Sequence, residues 1–357
     1  MTPASAAATA PHGTLRAPSG SSLVIQTSFL GDMVLTTPLL AHLATSSAVD
    51  VVCTPAASVL LENHPAVREA IVYDKRGRDR GTAGAMRLAM RLRERHYDAA
   101  YLAQGSIRSG AIAFMARIPD RVGFVTSAGR WFYTTRVIPI ENTHHAGRLL
   151  ALGTRDPLRV VNNAEIRPRL YPGERERLAV DEVLGTNVMS DEPLIAMAPG
   201  SVWATKRWPY FSALATMLRD AGRIVIVGSE ADRPLALEIV AATKGQAVDT
   251  TGRLSLLASA ELIGRAALLV TNDSAPLHLA SAMNTPSIAV FGPTVPEFGF
   301  GPLAERSHVA GHASLGCRPC DRHGPQRCPL GHWRCMREIT PDGVASLALG
   351  LLTSRIP

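Results

Sequence analysis

Residues 267–291 read ALLVTNDSAPLHLASAMNTPSIAVF, an apolar run, a polar segment, a helical pattern and a second apolar run. The runs at 267–271 and 287–291 predict buried strands, since strands covered on both faces are continuously hydrophobic. Residues 277–283 predict the helix between them. A strand, a helix and another strand in this order form the unit of a parallel sheet covered by helices.

The same alternation continues on both sides of this segment and predicts two doubly wound α/β halves, one after the other. The predicted strands lie at 23–26, 49–53, 99–102, 194–197 and 223–227, and the predicted helices at 33–43, 83–95, 210–221, 234–242 and 255–266. Residues 166–192 contain prolines, glycines and a charged helical stretch, which predicts a connection between the halves.

The chain has 357 residues, more than one hydrophobic core usually supports, so we expect two domains. We assign 21–175 to the first domain, 190–340 to the second and 341–357 to a closing helix. Residues 1–20 lack the basic start and apolar middle of a signal peptide and predict a disordered tail. No apolar run reaches the roughly 20 residues that span a bilayer. We therefore expect a cytoplasmic protein.

The composition is basic, with 37 Lys and Arg against 30 Asp and Glu, and the formal charge is +7. This charge favours an anionic partner such as phosphate, nucleic acid or an acidic membrane surface, and it does not choose among them.

Open parallel sheets bind ligands beyond the carboxyl ends of their strands, so the loops after those strands are the candidate sites. The first such loop is Thr27-Ser28-Phe29-Leu30-Gly31-Asp32. Its aspartate falls at the beginning of a predicted helix. Asp32 is therefore either a helix cap or a functional carboxylate.

The second loop, residues 199–209, combines a glycine turn, hydroxyl groups and two cations just before a helix. Ser201, Thr205 and Lys206 suit a diphosphate, because backbone N–H groups at a helix start and a lysine both favour phosphate. A solvated basic turn is the alternative.

The third loop carries Glu230 and Asp232, carboxylates that could accept hydrogen bonds from ribose hydroxyls or could simply cap the next helix. The fourth loop places Asp273 and Ser274 before Pro276 at a helix start, which resembles an anion-binding N-terminus. The glycines do not form the dinucleotide fingerprint, and no Walker-type phosphate loop occurs. Dehydrogenase and P-loop functions therefore lose support.

A cysteine cluster lies near the carboxyl end, where Cys317, Cys320, Cys328 and Cys335 are accompanied by His323 and His332. Its spacing is compatible with structural zinc but matches no standard finger closely. Four thiols in a loop are the alternative.

Taken together, the four loops resemble the heptosyltransferases, glycosyltransferase family nine, from about residue 23 to the last helix. The segments that carry the resemblance are 28–32, Arg121-Val122-Gly123-Phe124, Lys206-Arg207-Trp208-Pro209, 271–274 with His278, and Cys328-Pro329-Leu330-Gly331-His332 followed by Cys335. The last of these resembles the members that add the second heptose to lipopolysaccharide. Ala275 stands where the family commonly has glycine.

The resemblance implies a GT-B architecture, two Rossmann-like domains that face a cleft, and an inverting transfer of heptose. It implies an ADP-heptose donor, held mainly by the second domain, and a lipid A–Kdo–heptose acceptor, held mainly by the first. Asp32 would be the base and Lys206 would bind the diphosphate, while Asp273 would orient sugar hydroxyls and Asp232 or Glu230 would hold the ribose. His278 is a ligand or a core histidine.

On the acceptor side, the candidates Gln104, Ser106, Arg108 and Arg121 could bind the carboxylates and phosphates of core sugars. We expect peripheral contact with the anionic inner face of the inner membrane. The chemistry requires no cofactor, although a divalent ion is possible. We expect no nucleic-acid partner.

Two alternatives stay open. Another GT-B nucleotide-sugar transferase of cell-envelope glycan synthesis would bind the same diphosphate. A zinc-dependent nucleic-acid-binding protein would explain the cysteines and the basic charge.

Overall fold

The computed structural model describes residues 20–156, 159, 161–185 and 192–353. Residues 1–19 of the predicted tail and residues 354–357 of the predicted closing helix lie outside the described residues. Gly20, the last residue of the predicted tail, is instead the first residue of a strand.

Twelve strands in the described residues form two sheets of six. The strands are β1 (Gly20–Ile25), β2 (Ser47–Cys53), β3 (Glu69–Val72), β4 (Ala99–Tyr101), β5 (Asp120–Phe124), β6 (Thr135–Val137), β7 (Leu194–Ala198), β8 (Arg223–Ile226), β9 (Val248–Asp249), β10 (Leu268–Asn272), β11 (Ser287–Phe291) and β12 (Ser307–Gly311).

The helices follow the strands in alternation. They are α1 (Leu30–Leu43), α2 (Pro55–Ser58), α3 (Gly81–Arg93), α4 (Ile107–Met115), α5 (His145–Thr154), α6 (Asn163–Ile166), α7 (Glu174–Leu184), α8 (Phe211–Leu218), α9 (Arg233–Ala242), α10 (Leu256–Arg265), α11 (Ala275–Met283), α12 (Arg334–Arg337) and α13 (Pro341–Thr353).

The two sheets have the same topology. The strand orders are β3-β2-β1-β4-β5-β6 and β12-β11-β10-β7-β8-β9, and every strand pair is parallel. In each half the first strand is central, and the strand order reverses between β1 and β4 or between β7 and β10. Ligands bind at such reversal points, so the topology singles out the loops after these four strands.

The halves are also joined by a hydrophobic core. Leu39 and Leu40 of α1, Leu149 of α5 and Leu279 of α11 are buried in one cluster, although α11 belongs to the second half. Helix α1 packs against both α5 and α11, and α7 of the predicted connection packs against α10. The packing of α1 against α11 brings the loop after β1 next to the loop after β10.

No helix among the described residues combines the length and apolar character needed to cross a membrane.

Candidate active site between the two sheets

A pocket of about 230 Å³ opens between the two halves, at the carboxyl ends of β1, β7 and β10. Both sheets contribute to its walls, as the two reversal points predict. The residues that line it are Phe29, Leu30, Gly31, Asp32, Ser201, Val202, Trp203, Lys206, Asp273, Ser274, Ala275, His278, Val295, Phe298, Phe300, Arg322 and His323.

Asp32 enters this pocket from the first turn of α1. The helix begins at Leu30 with Phe29 as its N-cap residue, so Asp32 does not cap it. Ser28 Oγ lies 2.6 Å from Asp32 Oδ2 and orients the carboxylate, whose side chain is 19% exposed. An oriented, solvent-accessible carboxylate can accept a proton from a bound hydroxyl.

His145, which sequence analysis did not single out, lies beside this carboxylate. Its Nε2 atom is 3.8 Å from Asp32 Oδ1. Burial, and then the charge of Arg148, lower the pKa of His145 to about 3, so its ring is neutral and forms no ion pair with Asp32. Two adjacent histidines at the start of α5 were the available signal, because His144 is the N-cap residue of that helix.

Lys206 and Asp273, predicted separately as donor residues, form a buried ion pair. Lys206 Nζ lies 2.5 Å from Asp273 Oδ2, and each side chain is 9% exposed. Thr294 Oγ1 donates a second hydrogen bond to the same oxygen at 2.7 Å. The positive charge of Lys206 is therefore already matched inside the protein.

Asn272, the last residue of β10, fixes the loop of residues 199–209 to the end of its own strand. Its Nδ2 donates to the carbonyl of Pro199 at 2.8 Å, and its Oδ1 accepts from the Trp208 N–H at 3.0 Å. The next residues, Asp273 and Ser274, are thereby fixed between the loop after β7 and the start of α11. The side chain of Ser274 makes no capping hydrogen bond at this helix start.

His278 is buried in α11 and packs against the first loop. A Cβ atom on Gly31 would lie 2.6 Å from His278 Cδ2, so this contact requires glycine. Burial lowers the pKa of His278 to about 4, and its Nδ1 has no hydrogen-bond partner among the described residues. The histidine therefore serves packing and also lines the pocket.

Three of the predicted donor residues do not line the pocket, because their polar groups are used by the protein. Glu230 is 69% exposed and forms an ion pair with Arg233. Thr205 Oγ1 donates to the carbonyl of Pro325. Asp232 accepts from the Ser229 N–H at 2.9 Å in a capping box, although its carboxylate lies against Gly200 of the donor loop.

Three predicted acceptor residues meet in a second pocket of about 350 Å³ at the carboxyl end of β4. Gln104, Ser106 and Arg108 line it together with Lys75, which sequence analysis missed. Lys75 Nζ donates to the backbone carbonyl of Thr27 at 2.5 Å, and Thr27 belongs to the same loop as Asp32. A cationic pocket therefore adjoins the loop that holds the carboxylate.

Arg121 does not join the other acceptor candidates. It is the second residue of β5, and its guanidinium donates to the carbonyls of Phe132 and Ile118 and lies over the ring of Phe114. These contacts use the Nε and Nη1 groups of Arg121 and pack its guanidinium against Phe114 of α4. Arg121 therefore does not line the pocket that contains the other acceptor candidates, and its role as an acceptor ligand stays a prediction.

The cysteines lie in one loop region, but they do not form a metal site in this geometry. Cys317 Sγ is 3.9 Å from His332 Nε2, and Cys335 is buried. Across the described ranges, no group of three or more His, Cys, Asp or Glu side chains is placed to hold one metal ion. Structural zinc at these cysteines stays a prediction.

Comparison with known proteins agrees with this geometry. Residues 85–331 match the family model described as glycosyltransferase family 9 (heptosyltransferase). The chain is 30% identical over 307 residues to lipopolysaccharide heptosyltransferase 2 of Escherichia coli K12, covering 80% of this chain and 86% of that one. It is also 30% identical over 321 residues to lipopolysaccharide heptosyltransferase 1 of Pseudomonas aeruginosa, covering 84% and 85%.

The fold is that of solved heptosyltransferases. The structure of ADP-heptose LPS heptosyltransferase II of E. coli superposes with a TM-score of 0.75 at 27% identity, covering 93% of this chain and 98% of that one. The two sheets and their covering helices are thus the two halves of a GT-B fold. With its family model, its relatives and its fold in agreement, the chain belongs to glycosyltransferase family 9, the heptosyltransferases.

Proposed function

We propose that this glycosyltransferase transfers L-glycero-D-manno-heptose from ADP-heptose to the inner core of lipopolysaccharide. The observation that carries the proposal is the shared pocket in which Asp32 of the first half faces Lys206, Asp273 and Ser274 of the second. A base and a diphosphate site that share one pocket are what a direct displacement at a sugar carbon requires.

In the proposed reaction, an acceptor hydroxyl oxygen attacks the anomeric carbon of the donor heptose. The bond from that carbon to the diphosphate oxygen breaks, and its electron pair leaves with ADP. The hydroxyl proton passes to Asp32, whose carboxylate Ser28 orients. Attack from the side opposite the leaving group inverts the anomeric centre. No step is assigned to a metal ion or another cofactor.

On the donor side, the start of α11 offers backbone dipoles to the leaving diphosphate. Ser274 caps the helix with its backbone only, and Pro276 in the first turn has no N–H. The N-terminal end of a helix carries partial positive charge, which stabilises an anion. The Lys206–Asp273 pair lies beside this helix start and orients polar groups around the sugar.

On the acceptor side, the pocket with Arg108 and Lys75 suits the carboxylates and phosphates of the inner core. We propose a lipid A–Kdo–heptose acceptor and therefore addition of the second heptose. The sequence resemblance favours this position, as do the relatives named heptosyltransferase 2, while the P. aeruginosa relative named heptosyltransferase 1 makes the acceptor worth testing.

We further propose that the protein acts as a peripheral protein at the cytoplasmic face of the inner membrane. Trp131 is 74% exposed, and the guanidinium groups of Arg130 and Arg136 lie 5.0 and 6.0 Å from its ring. An exposed tryptophan flanked by cations suits the headgroup region of an anionic bilayer. Ile107 is also exposed, and it lines the acceptor pocket in the same half.

The decisive experiment offers ADP-heptose with lipid A–Kdo acceptors that carry or lack the first heptose, using the wild type and Asp32→Asn. We expect transfer only to the heptosylated acceptor. We expect the variant to lose about 100-fold or more of the rate, as is typical when a general base is removed. Its affinity for ADP should be unchanged, because the carboxylate serves the acceptor and not the diphosphate.

Each other outcome has a defined meaning. Transfer to the acceptor without heptose would assign addition of the first heptose. No transfer to either acceptor by folded protein would favour another nucleotide sugar, and a panel of donors would then identify it. Full activity in Asp32→Asn would remove the assignment of the base. The zinc-dependent nucleic-acid-binding alternative predicts stoichiometric zinc and salt-sensitive binding to nucleic acid, and failure to find either would remove it.

A further inference from the structure

Residues 312–333, the cysteine loop, are fixed to the second half at two places. Arg318 donates to the carbonyls of Phe291 and Thr294, each at 2.9 Å. Farther along, Gln326 accepts from the Ala204 N–H at 3.1 Å and donates to the carbonyl of Val202 at 3.0 Å. The residues between these anchors are therefore held next to the loop of residues 199–209.

The middle of the cysteine loop reaches across the cleft. The ring of His323 stacks on Trp203 of the second half, with centroids 6.2 Å apart and planes 17° apart. The same ring lies 6.0 Å from the ring of Phe29 in the first half. The preceding residue, Arg322, is thereby brought into the wall of the pocket that also contains Asp32 and Lys206.

The positive charge of Arg322 is not matched by a carboxylate. Among the described residues Arg322 forms no ion pair, whereas Lys206 pairs with Asp273 at 2.5 Å. Arg148, which donates to the carbonyl of Phe298, has a pKa lowered by burial and by the charge of Arg322. The charge of Arg322 also contributes to the lowered pKa of His145. Arg322 therefore brings to the pocket a positive charge that is paired with no carboxylate among the described residues.

We propose that Arg322 of the cysteine loop is a further cation that binds the diphosphate of the donor, because the charge of Lys206 is shared with the carboxylate of Asp273 and a diphosphate carries more than one negative charge. This inference rests on the proposed function. A guanidinium binds phosphate oxygens through two parallel hydrogen bonds and keeps its charge at any physiological pH. As the bond from the sugar to the diphosphate breaks, the additional negative charge on ADP develops next to Arg322.

The inference gives the cysteine loop a role that needs no metal. Its anchors at Arg318 and Gln326 hold the arginine in place, and the contact of His323 with Phe29 couples its position to the first half. The loop therefore contributes a donor-binding residue that lies more than 100 residues from the loop with Lys206 in the sequence.

The test measures binding of ADP and of adenosine by calorimetry to the wild type, Arg322→Ala, Arg322→Lys and Arg327→Ala. Arg327 is an exposed arginine of the same loop outside the pocket, and its variant is the matched control. We expect Arg322→Ala to weaken ADP binding by about tenfold or more, as expected for loss of a charge-assisted phosphate contact, and to leave adenosine binding unchanged. Arg322→Lys should recover part of the affinity, and Arg327→Ala should bind as the wild type does.

Equal ADP affinity of the wild type and Arg322→Ala would overturn the inference and leave the proposed function standing. An equal loss of ADP and adenosine affinity would also overturn it, since it would show that the residue only supports the loop. If the wild type itself fails to bind ADP, the proposed donor is wrong, and the role of Arg322 fails with it.

Discussion

The ring of His278 on α11 lies directly against Gly31 at the start of α1, so closely that a Cβ atom on residue 31 would stand 2.6 Å from His278 Cδ2. The contact joins the two halves beside the catalytic candidate, since Gly31 immediately precedes Asp32. A methyl group here must move either a buried histidine or the first turn of α1.

Gly31→Ala should therefore reduce the rate of transfer by at least tenfold, because a displacement of about 1 Å at a reacting group costs on the order of 100-fold. Gly147→Ala is the matched control in a helix, as the new methyl would meet Val161 and Ile166 at ordinary contact distances of 3.5 and 3.6 Å. Steady-state rates with ADP-heptose decide the matter. A wild-type rate of transfer in both variants would show that the contact has no catalytic consequence.

Lys206→Ala should destabilise the protein by about 3–5 kcal/mol, because it leaves the carboxylate of Asp273 buried without its partner. Chemical denaturation measures this loss of unfolding free energy. The double variant Lys206→Met with Asp273→Asn should recover most of it, since neither side chain then carries a charge. If Lys206→Ala has the stability of the wild type, the ion pair does not exist in solution.

The buried histidines should make the stability of the protein depend on pH. Burial is the largest cause that lowers the pKa to about 4 in His64, His144 and His278 and to about 3 in His145. In the unfolded chain their pKa is about 6.5, so between pH 6.5 and 4 the unfolded state binds protons that the folded state does not. The unfolding free energy is therefore fully retained above pH 6.5 and falls as the pH is lowered.

Denaturation at half-unit intervals from pH 7.5 to 5 measures this slope, which can reach about 1.4 kcal/mol per pH unit for each histidine. His64→Gln should make the slope shallower, because it removes one of these buried rings. A constant unfolding free energy across the interval would contradict the burial of these rings.

Binding to vesicles tests the membrane proposal. Trp131→Ala and Arg136→Ala should each weaken sedimentation with vesicles that contain phosphatidylglycerol, because the exposed ring and its flanking cations are lost. Leu237→Ala is the control, since that exposed leucine lies on α9 of the other half. No binding of the wild type to anionic vesicles, or equal binding by Trp131→Ala, would exclude this surface.

Much of the fold could be predicted because the inner strands are continuous apolar runs. The strands β1, β2, β4, β7, β8, β10 and β11 were anticipated near their observed positions. Four of those that were missed, β3, β6, β9 and β12, are the outermost strands of the two sheets. Edge strands are short and partly exposed, so their sequences lack the pattern that marks a buried strand.

The site shows a similar division. Asp32, Lys206, Asp273 and Ser274 follow strands at the reversal points, where the fold itself indicates a ligand. His145 and Arg322 could not be found in this way, because a helix and a long loop bring them in from elsewhere in the chain. The pairing of Lys206 with Asp273, which lie 67 residues apart, also depends on tertiary structure alone.

The hydrophobic cluster that α1, α5 and α11 share limits how far the two halves can separate. Swinging the halves widely apart would expose Leu39, Leu40 and Leu279 to water, at a cost of about 1.5–3 kcal/mol for each side chain. Large opening is therefore opposed at the base of the cleft, next to Gly31 and His278. The carboxylate of Asp32, the proposed base, and the loops after β7 and β10 are preorganised before either substrate arrives, so binding energy need not be spent on assembling them.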